Sequence, residues 1–237
     1  MDEAKRKAFI GRLSKALGRT EVPEFVPSFD YSKGPQNTMY QGLTHEQIVD
    51  MFIEECGKVG TRISHATPGN LGEVILAEVK HWGGGKVIYP NSKEWQEYAL
   101  DTVLPKADTV DAKFVQWEPA LGRDANIGEA QDANMGITFP MMGIAESGTI
   151  IQGSDVASGR SIGLLPITHI AVVKKSTIKP RMTQVMQEIG KVHEADASAL
   201  LSNIVCISGP SNTADIELVR VVGVHGPINV SFILLEA

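Results

Sequence analysis

The chain has 237 residues, of which 43% are apolar and 21% charged, the composition of an ordinary globular protein with one or two domains, one being favoured. Its 28 acidic and 22 basic residues give a net charge of -6, which excludes a general electrostatic attraction to nucleic acids or anionic lipid surfaces. Two cysteines are too few for a disulfide scaffold, a structural zinc site or a protein-bound iron–sulfur cluster, and no apolar run is long enough to span a membrane.

Residues 1–43 predict an N-terminal helical arm followed by an extended strap. The apolar residues of segment 1–19 share one narrow helical face between basic residues, which favours a packing or docking arm over a membrane-binding helix. Prolines and glycines interrupt segment 18–43, which lacks helical periodicity. The acidic start at Asp2 and Glu3 does not fit a secretion signal, so a cytoplasmic protein is expected.

Residues 44–237 predict one α/β domain. Thr44 and Gln47 form a capping-box pattern at the start of its first helix. Helices and strands then alternate as far as residue 117, which is typical of a largely parallel sheet between helices. Strand-like segments dominate thereafter, so a mixed sheet is expected. These later strands are predicted at 136–139, 143–152, 161–174, 204–209, 219–224 and 228–235, with one long helix at 183–201.

Two conspicuous features are better explained by structure than by function. The glycines at 83–85 follow a helix and precede a strand, the reverse of a phosphate-binding loop, so they predict a helix stop. His169 lies within an apolar strand and is expected to be a hydrogen-bonded core residue. The six histidines show no local spacing typical of a metal site, so no metal is expected.

The segment around Glu146 is the first candidate site. Glu146 and Ser147 interrupt an apolar strand, and a buried carboxylate is costly unless it is paired or hydrogen-bonded. Gly148 indicates a bulge or the close approach of a ligand to the backbone. We therefore take Glu146 as a candidate acid or base, with Ser147, Gly148 and Thr149 as candidate ligand contacts. The alternative is an edge-strand turn with a solvated carboxylate.

The segment 208–217 is the second candidate site. An apolar strand followed by Gly-Pro and small polar residues predicts a helix N-terminus, whose free amides bind carboxylate or phosphate. Its expected ligand contacts are Ser211, Asn212, Thr213 and Glu217, and its expected acid or base is Asp215. A plain helix cap is the alternative.

Two further residues have equally open roles. His225 lies at the end of an apolar run beside a glycine and a proline, where it either contacts a ligand or forms a turn. Arg160 is the only cation of a polar loop at 154–161 and either binds an anionic substrate or is solvated in a hairpin loop.

Four motifs follow one another along the chain: Gly143–Thr149 (GIAESGT), 164–170 (LLPITHI), 209–217 (GPSNTADIE) and 223–227 (GVHGP). In this order they resemble the LUD domain family. The likeness covers roughly residues 43–237. It implies a three-layer α/β sandwich like that of ribose-phosphate isomerases and CoA transferases. It also implies a role in bacterial growth on L-lactate, which is oxidised to pyruvate together with two iron–sulfur partner proteins.

Three functional hypotheses follow. In the first, the chain is a subunit of a lactate-oxidising complex, with a small-anion pocket and an acid–base pair formed by Glu146 and Asp215. It would carry no cofactor itself, since no dinucleotide fingerprint is present and the iron–sulfur clusters would belong to its partners. In the second it is a non-catalytic assembly or regulatory subunit that uses residues 1–43. In the third it is a free-standing enzyme acting on sugar phosphates or CoA esters. The residues leave open whether this chain catalyses and whether it forms a homo-oligomer.

Overall fold

A computed structural model of the protein describes residues 2–20, 25, 28, 30, 32, 34–104, 111–195, 201, 203–213, 221–223 and 225–237. They divide into two compact units, residues 1–39 and 40–237. The first unit contains helix α1 (Glu3–Ala16), which begins where the Asp2 carboxylate accepts a hydrogen bond from the Ala4 amide at 3.0 Å. The predicted N-terminal helix is therefore confirmed.

The centre of the second unit is a sheet of six parallel strands. Numbered along the chain, they are β1 (Arg62–Ala66), β2 (Gly85–Tyr89), β3 (Ala112–Gln116), β4 (Met135–Thr138), β7 (Thr168–Lys174) and β12 (Asn229–Leu235). Their order in the sheet is β1-β12-β7-β4-β2-β3. The helices of this unit are α2 (His45–Lys58), α3 (Leu71–His81), α4 (Lys93–Glu97), α5 (Leu100–Val103), α6 (Gly122–Gln131), α7 (Ser161–Leu164) and α8 (Met182–Ala195).

Helices cover both faces of this sheet because its central strands are apolar on both sides. Side chains alternate along a strand, so β12 directs Ile233 to one face and Phe232 to the other. Ile233 packs in a core with Ile75 of α3. Phe232 packs with Phe52 of α2, their rings stacked with centroids 6.1 Å apart. These layers confirm the predicted α/β class with a largely parallel sheet.

Four further strands form a second sheet instead of extending the first. They are β5 (Met142–Ile144), β6 (Thr149–Ser154), β8 (Ile178–Lys179) and β9 (Asn203–Ile207), in the order β8-β5-β6-β9. The pairs β5–β6 and β6–β9 are antiparallel, and β5–β8 is parallel. One face packs against Phe52 of α2, and the other packs against Val185 and Ile189 of α8.

Two predicted strands are wrong in part. Segment 161–174 begins with helix α7, and β7 starts only at Thr168. The backbone of α7 lies directly on strand β4 at Gly136, which has no side chain. A Cβ at Gly136 would stand 1.7 Å from the Ile162 carbonyl oxygen. Segment 143–152 is a hairpin of β5 and β6, joined by a 3-10 turn at Ala145–Ser147.

The glycine run and His169 behave as the sequence predicts. Helix α3 ends at His81, and Gly83, Gly84 and Gly85 adopt φ angles of +89°, +70° and +89°. His169 is fully buried, with its Nε2 atom 2.7 Å from the Thr138 hydroxyl. Burial lowers the pKa of His169 to about 4, because the charged imidazolium loses its hydration.

A buried polar network fixes helix α3 on strands β1 and β12. The Glu78 carboxylate is 3% exposed and accepts hydrogen bonds from Arg62 Nε at 3.1 Å and from the Ser231 hydroxyl at 2.9 Å. The Trp82 indole in turn donates to the Ser231 oxygen at 2.8 Å. Each polar group of this network is therefore bonded in the low-dielectric layer between helix and sheet.

Candidate functional site

Glu146 lies on the turn between β5 and β6 and faces a cation. Its carboxylate accepts a hydrogen bond from Arg181 Nε at 2.7 Å and one from the Met182 amide at 3.4 Å. Both side chains of the ion pair are nearly four-fifths buried. The Glu146 amide also donates to the Pro180 carbonyl at 3.1 Å. The carboxylate therefore ties the hairpin to the start of α8, and a substrate would have to share it with Arg181.

The hydroxyl groups next to Glu146 form a connected chain. Ser147 Oγ lies 2.7 Å from Thr149 Oγ1, which lies 2.6 Å from Ser208 Oγ. Ser208 directly follows β9, whose residue Ile207 pairs with Ile150 of β6. Three hydroxyls that can each donate or accept are thus lined up where the two candidate segments meet.

Gly148 is needed for a close backbone approach, and the approaching group is helix α2. The residue has a φ of +56°, and a Cβ there would stand 2.6 Å from the backbone nitrogen of Cys56. The Cys56 thiol lies 3.6 Å from the Gly148 carbonyl oxygen. Burial, helped by the Glu55 carboxylate, raises the pKa of Cys56 to about 12, so its thiol stays protonated.

The predicted helix N-terminus at residues 211–213 is wrong. Asn212 and Thr213 form strand β10, which pairs antiparallel with β11 (Val221–Val222). The Ser211 amide donates to the Pro227 carbonyl at 2.9 Å, and its carbonyl accepts from the Gly223 amide at 2.8 Å. The backbone groups of this segment are engaged in strand pairing, whereas a helix N-terminus would leave its first amides free to bind an anion. The anion contacts proposed for Ser211, Asn212 and Thr213 therefore lose their helix-based argument.

The segment around His225 nevertheless lies beside Ser211. A Cβ at Gly226, the next residue, would stand 3.3 Å from the Cβ of Ser211. The structure thus brings the third and the fourth sequence motifs together at the amino ends of β7 and β12. Asp215 and Glu217 lie outside the described residues, so their pairing with Glu146 stays a prediction.

Among the described residues, Arg160 has no hydrogen bond or ion pair with Glu146 or with the hydroxyl chain. Its loop leaves the opposite end of β6, about 17 Å along the strand from Thr149. The loop packs instead on β2 and β3: the Asn91 amide donates to the Ala157 carbonyl at 2.9 Å, and the Trp117 indole donates to the Val156 carbonyl at 3.1 Å. Arg160 itself is exposed at the start of α7.

Comparisons with known proteins place this arrangement in a family. Residues 49–235 match the LUD domain. Lactate utilization protein C of Bacillus licheniformis is 39% identical over 98% of this chain and 96% of that protein. The chain belongs to the LUD domain family. The protein of the same name from Bacillus subtilis is 36% identical over 98% of this chain and 96% of its own length.

The fold of this LUD domain also has a solved counterpart. A DUF162 family protein from Deinococcus radiodurans superposes with a TM-score of 0.58 at 22% identity, covering 81% of this chain and 99% of that one. At that identity the likeness concerns the fold alone. Across the described ranges of the LUD protein, no helix has the length and apolar content needed to cross a bilayer. In the same ranges, no three His, Cys, Asp or Glu side chains gather as a metal site would require.

Sequence reasoning missed Arg181 and two cavities of the LUD domain. The position of Glu146 within an apolar strand indicates that its carboxylate has a cationic partner. That partner, Arg181, lies 35 residues away, and the sequence does not identify it. A broad groove of about 690 Å³ lies beside the N-terminus of α2, lined among others by His45, Lys175 and Glu236. A smaller cavity of about 140 Å³ lies beyond the ends of β2 and β4. Glu146 lines neither of them.

Proposed function

We propose that this LUD domain protein is a component of the L-lactate utilization system, in which L-lactate is oxidised to pyruvate together with iron–sulfur partner proteins. The observation that carries the proposal is its end-to-end similarity to several proteins named Lactate utilization protein C, at 36–39% identity over 98% of the chain. The similarity covers nearly the full length of this chain and of each relative. A shared role therefore does not depend on a domain that only one of the two aligned proteins contains. Such a component would act in the cytoplasm.

In this proposal the electrons pass to the partner proteins. Oxidation of L-lactate to pyruvate releases two electrons and two protons, and iron–sulfur clusters are one-electron acceptors usually held by four thiolates. This chain has two cysteines, and the buried Cys56 thiol has a pKa raised to about 12, which opposes its use as a thiolate ligand. The contribution left to this chain is the binding and orientation of lactate or of the partners.

We infer that a small carboxylate binds near the hydroxyl chain. Two of the three hydroxyl protons of Ser147, Thr149 and Ser208 are used within the hydroxyl chain, so it can donate one hydrogen bond to a ligand. Arg181 supplies a guanidinium whose Nη1 atom is buried without a hydrogen-bond partner in the described part of the chain. A buried N–H donor is normally hydrogen-bonded, and a guanidinium binds carboxylates well. The unused donor of Arg181 therefore favours the binding of an anion at this position. In this arrangement Glu146 holds Arg181 in place, and Asp215 is the remaining candidate base.

Growth on L-lactate tests the proposal. Deleting the gene in its own host is expected to abolish growth on L-lactate but not on pyruvate, and the wild-type gene should restore it. Arg181→Gln is expected to restore growth poorly, whereas Lys191→Gln, which breaks an exposed ion pair with Glu188 on the same helix α8, should restore it fully. Normal growth of the deletion strain on L-lactate would contradict the proposal.

A non-catalytic assembly role is the second candidate, and the Glu146–Arg181 pair favours it. Because Arg181 and the Met182 amide already engage the carboxylate, its visible contribution is to join two elements. Glu146→Gln keeps the shape of the side chain and one acceptor oxygen, but it removes the negative charge and replaces the second oxygen with a donor NH2 group. If this variant restores growth, Glu146 is excluded as acid or base, and co-purification of the iron–sulfur proteins with the wild-type chain would then support assembly.

A further inference from the structure

The smaller cavity lies at a topological switch point of the parallel sheet. Neighbouring strands β2 and β4 both end beneath it, and the next strands of the sheet along the chain lie on opposite sides, β3 beyond β2 and β7 beyond β4. Such divergence opens a crevice at the carboxyl ends of the strands, where ligands bind in open α/β sheets. The cavity of about 140 Å³ is walled by segments after β2, after β4 and at the end of β6.

Buried acceptors in the wall of this cavity lack hydrogen-bond partners. Gln152 lines the cavity and is 6% exposed. Its amide nitrogen donates to the Gly153 carbonyl at 2.9 Å, whereas its Oε1 atom is buried and accepts no hydrogen bond within the described part of the chain. The Ser92 hydroxyl, also in the wall, is in the same situation. Buried polar atoms in proteins are nearly always bonded, so these two indicate a ligand with hydrogen-bond donors.

The charges around the cavity exclude an anion. Among the described residues that line it, the ionisable ones are Glu94 and Asp155, and none is Lys, Arg or His. Asp155 is held by the amides of Ala157 and Ser158, each donating to its Oδ1 atom at 2.8 Å. Lactate, phosphate or a CoA ester would place its negative charge beside two carboxylates. The small-anion pocket proposed above therefore lies elsewhere.

The acceptor groups suit a ligand with several hydroxyls. A carboxylate accepts hydrogen bonds from the hydroxyls of a ribose, as an acidic residue does in dinucleotide-binding folds. Phe139 supplies an apolar wall, and its ring is fixed edge-on to Trp95 with centroids 6.4 Å apart. A few polar groups on an apolar wall are the usual makeup of a small-molecule site.

The walls are connected before any ligand arrives. The amide of Asn91, between the wall residues Pro90 and Ser92, donates to Ala157 in the loop that carries Asp155. Trp117 holds the same loop through Val156. Walls fixed by such contacts lose little conformational freedom on binding, which favours affinity for even a small molecule.

We propose that this cavity binds a small, uncharged polyhydroxy compound with at least two adjacent hydroxyl groups, such as a free pentose or the ribose of a nucleoside. Glu94, Gln152 and Asp155 accept its hydrogen bonds, and Ser92 completes the set at the inner wall. The site is independent of the proposed role in lactate oxidation. A binding measurement on the purified protein therefore tests it without reference to growth.

Titration calorimetry of the full chain with D-ribose tests the proposal. Ribose is expected to bind, 2-deoxy-D-ribose to bind several-fold more weakly, and ionic strength to have little effect. Gln152→Met, which keeps the side-chain length but removes the acceptor, should weaken ribose binding about tenfold. Gln131→Met, an exposed position at the end of α6, is the matched control and should leave binding unchanged.

Four results would overturn the proposal. They are no binding of ribose at tens of millimolar, unchanged binding in Gln152→Met, displacement of ribose by L-lactate, and tighter binding of ethanolamine than of ribose. The last would identify a cation site. If Gln152→Met lowers the thermal midpoint, Ser92→Ala serves in its place, with the same expected loss of affinity and the same consequence if affinity is unchanged.

Discussion

The buried imidazole of His169 predicts a specific loss of stability in mild acid. The ordinary pKa of 6.5 falls to about 4 in the folded protein. As the pH decreases through 6.5, the unfolded chain takes up a proton that the folded chain refuses until about pH 4. This contribution is therefore fully present above pH 6.5, is lost progressively below it, and is constant below about pH 4.

The magnitude follows from the size of the pKa change. A shift from 6.5 to about 4 corresponds to about 3 kcal/mol in total. Between about pH 7.5 and about pH 5 the linkage relation gives a loss of about 2 kcal/mol from this one group. Other titrating groups add their own pH dependence, so the comparison must be made between variants.

Urea unfolding at the two pH values, monitored by circular dichroism, measures this contribution. His169→Leu is expected to be less stable at neutral pH, because it leaves the Thr138 hydroxyl unbonded, but it should lose about 2 kcal/mol less than the wild type on acidification. His65→Gln replaces an exposed histidine of β1 in the same sheet and should retain the wild-type pH dependence. The reasoning fails if His169→Leu and the wild type lose the same amount.

Three further predictions concern buried groups of the protein. Gly148→Ala should destabilise the protein by about 2–4 kcal/mol in urea unfolding, because its Cβ would meet the Cys56 backbone at 2.6 Å. Gly128→Ala within helix α6, with nothing within 4 Å, should instead stabilise it by about 0.4–1 kcal/mol, and equal effects of the two changes would contradict this. Ser231→Ala should lower the free energy of unfolding by about 1–3 kcal/mol, because Trp82 and Glu78 each lose a buried hydrogen bond. The exposed Ser176→Ala is the control, and an equally small effect of both changes would refute the prediction. A thiol reagent should modify one cysteine in the native protein and two in denaturant, because Cys206 is exposed and Cys56 is buried as a neutral thiol. Cys206→Ser should remove the reaction of the native protein. If the reaction persists in this variant, Cys56 is accessible.

The sequence identified features whose cause is local. The capping box at Thr44 and Gln47 is present, with hydrogen bonds of 2.8 and 3.3 Å. The glycine run ends α3 because only glycine tolerates three successive positive φ angles at low cost. The apolar character of β7 and β12 on both faces likewise follows from their position at the centre of a parallel sheet.

The features that the sequence did not reveal depend on contacts between distant segments. Residues 161–164 adjoin an apolar strand in the sequence, and the space that Gly136 leaves for the backbone of α7 cannot be read from them. Asn212 is a residue favoured at helix caps, and its pairing with the distant Val222 places it in a strand instead. The acceptor of Gln152 carries no sequence signal, since its importance comes from burial at the meeting point of three segments.

The indole of Trp117 gives the molecule an intrinsic optical reporter. It is 8% exposed and donates a hydrogen bond to the Val156 carbonyl in the loop at 154–161. Gly159 of the same loop lies so close that a Cβ there would stand 2.2 Å from the ring. The surroundings of the indole therefore change whenever the 154–161 loop moves. Trp95 is stacked on Tyr89 at 3.9 Å, and Trp82 is fixed by Ser231. In a background where those two indoles are replaced by phenylalanine, the fluorescence emission of the protein reports the state of a single loop.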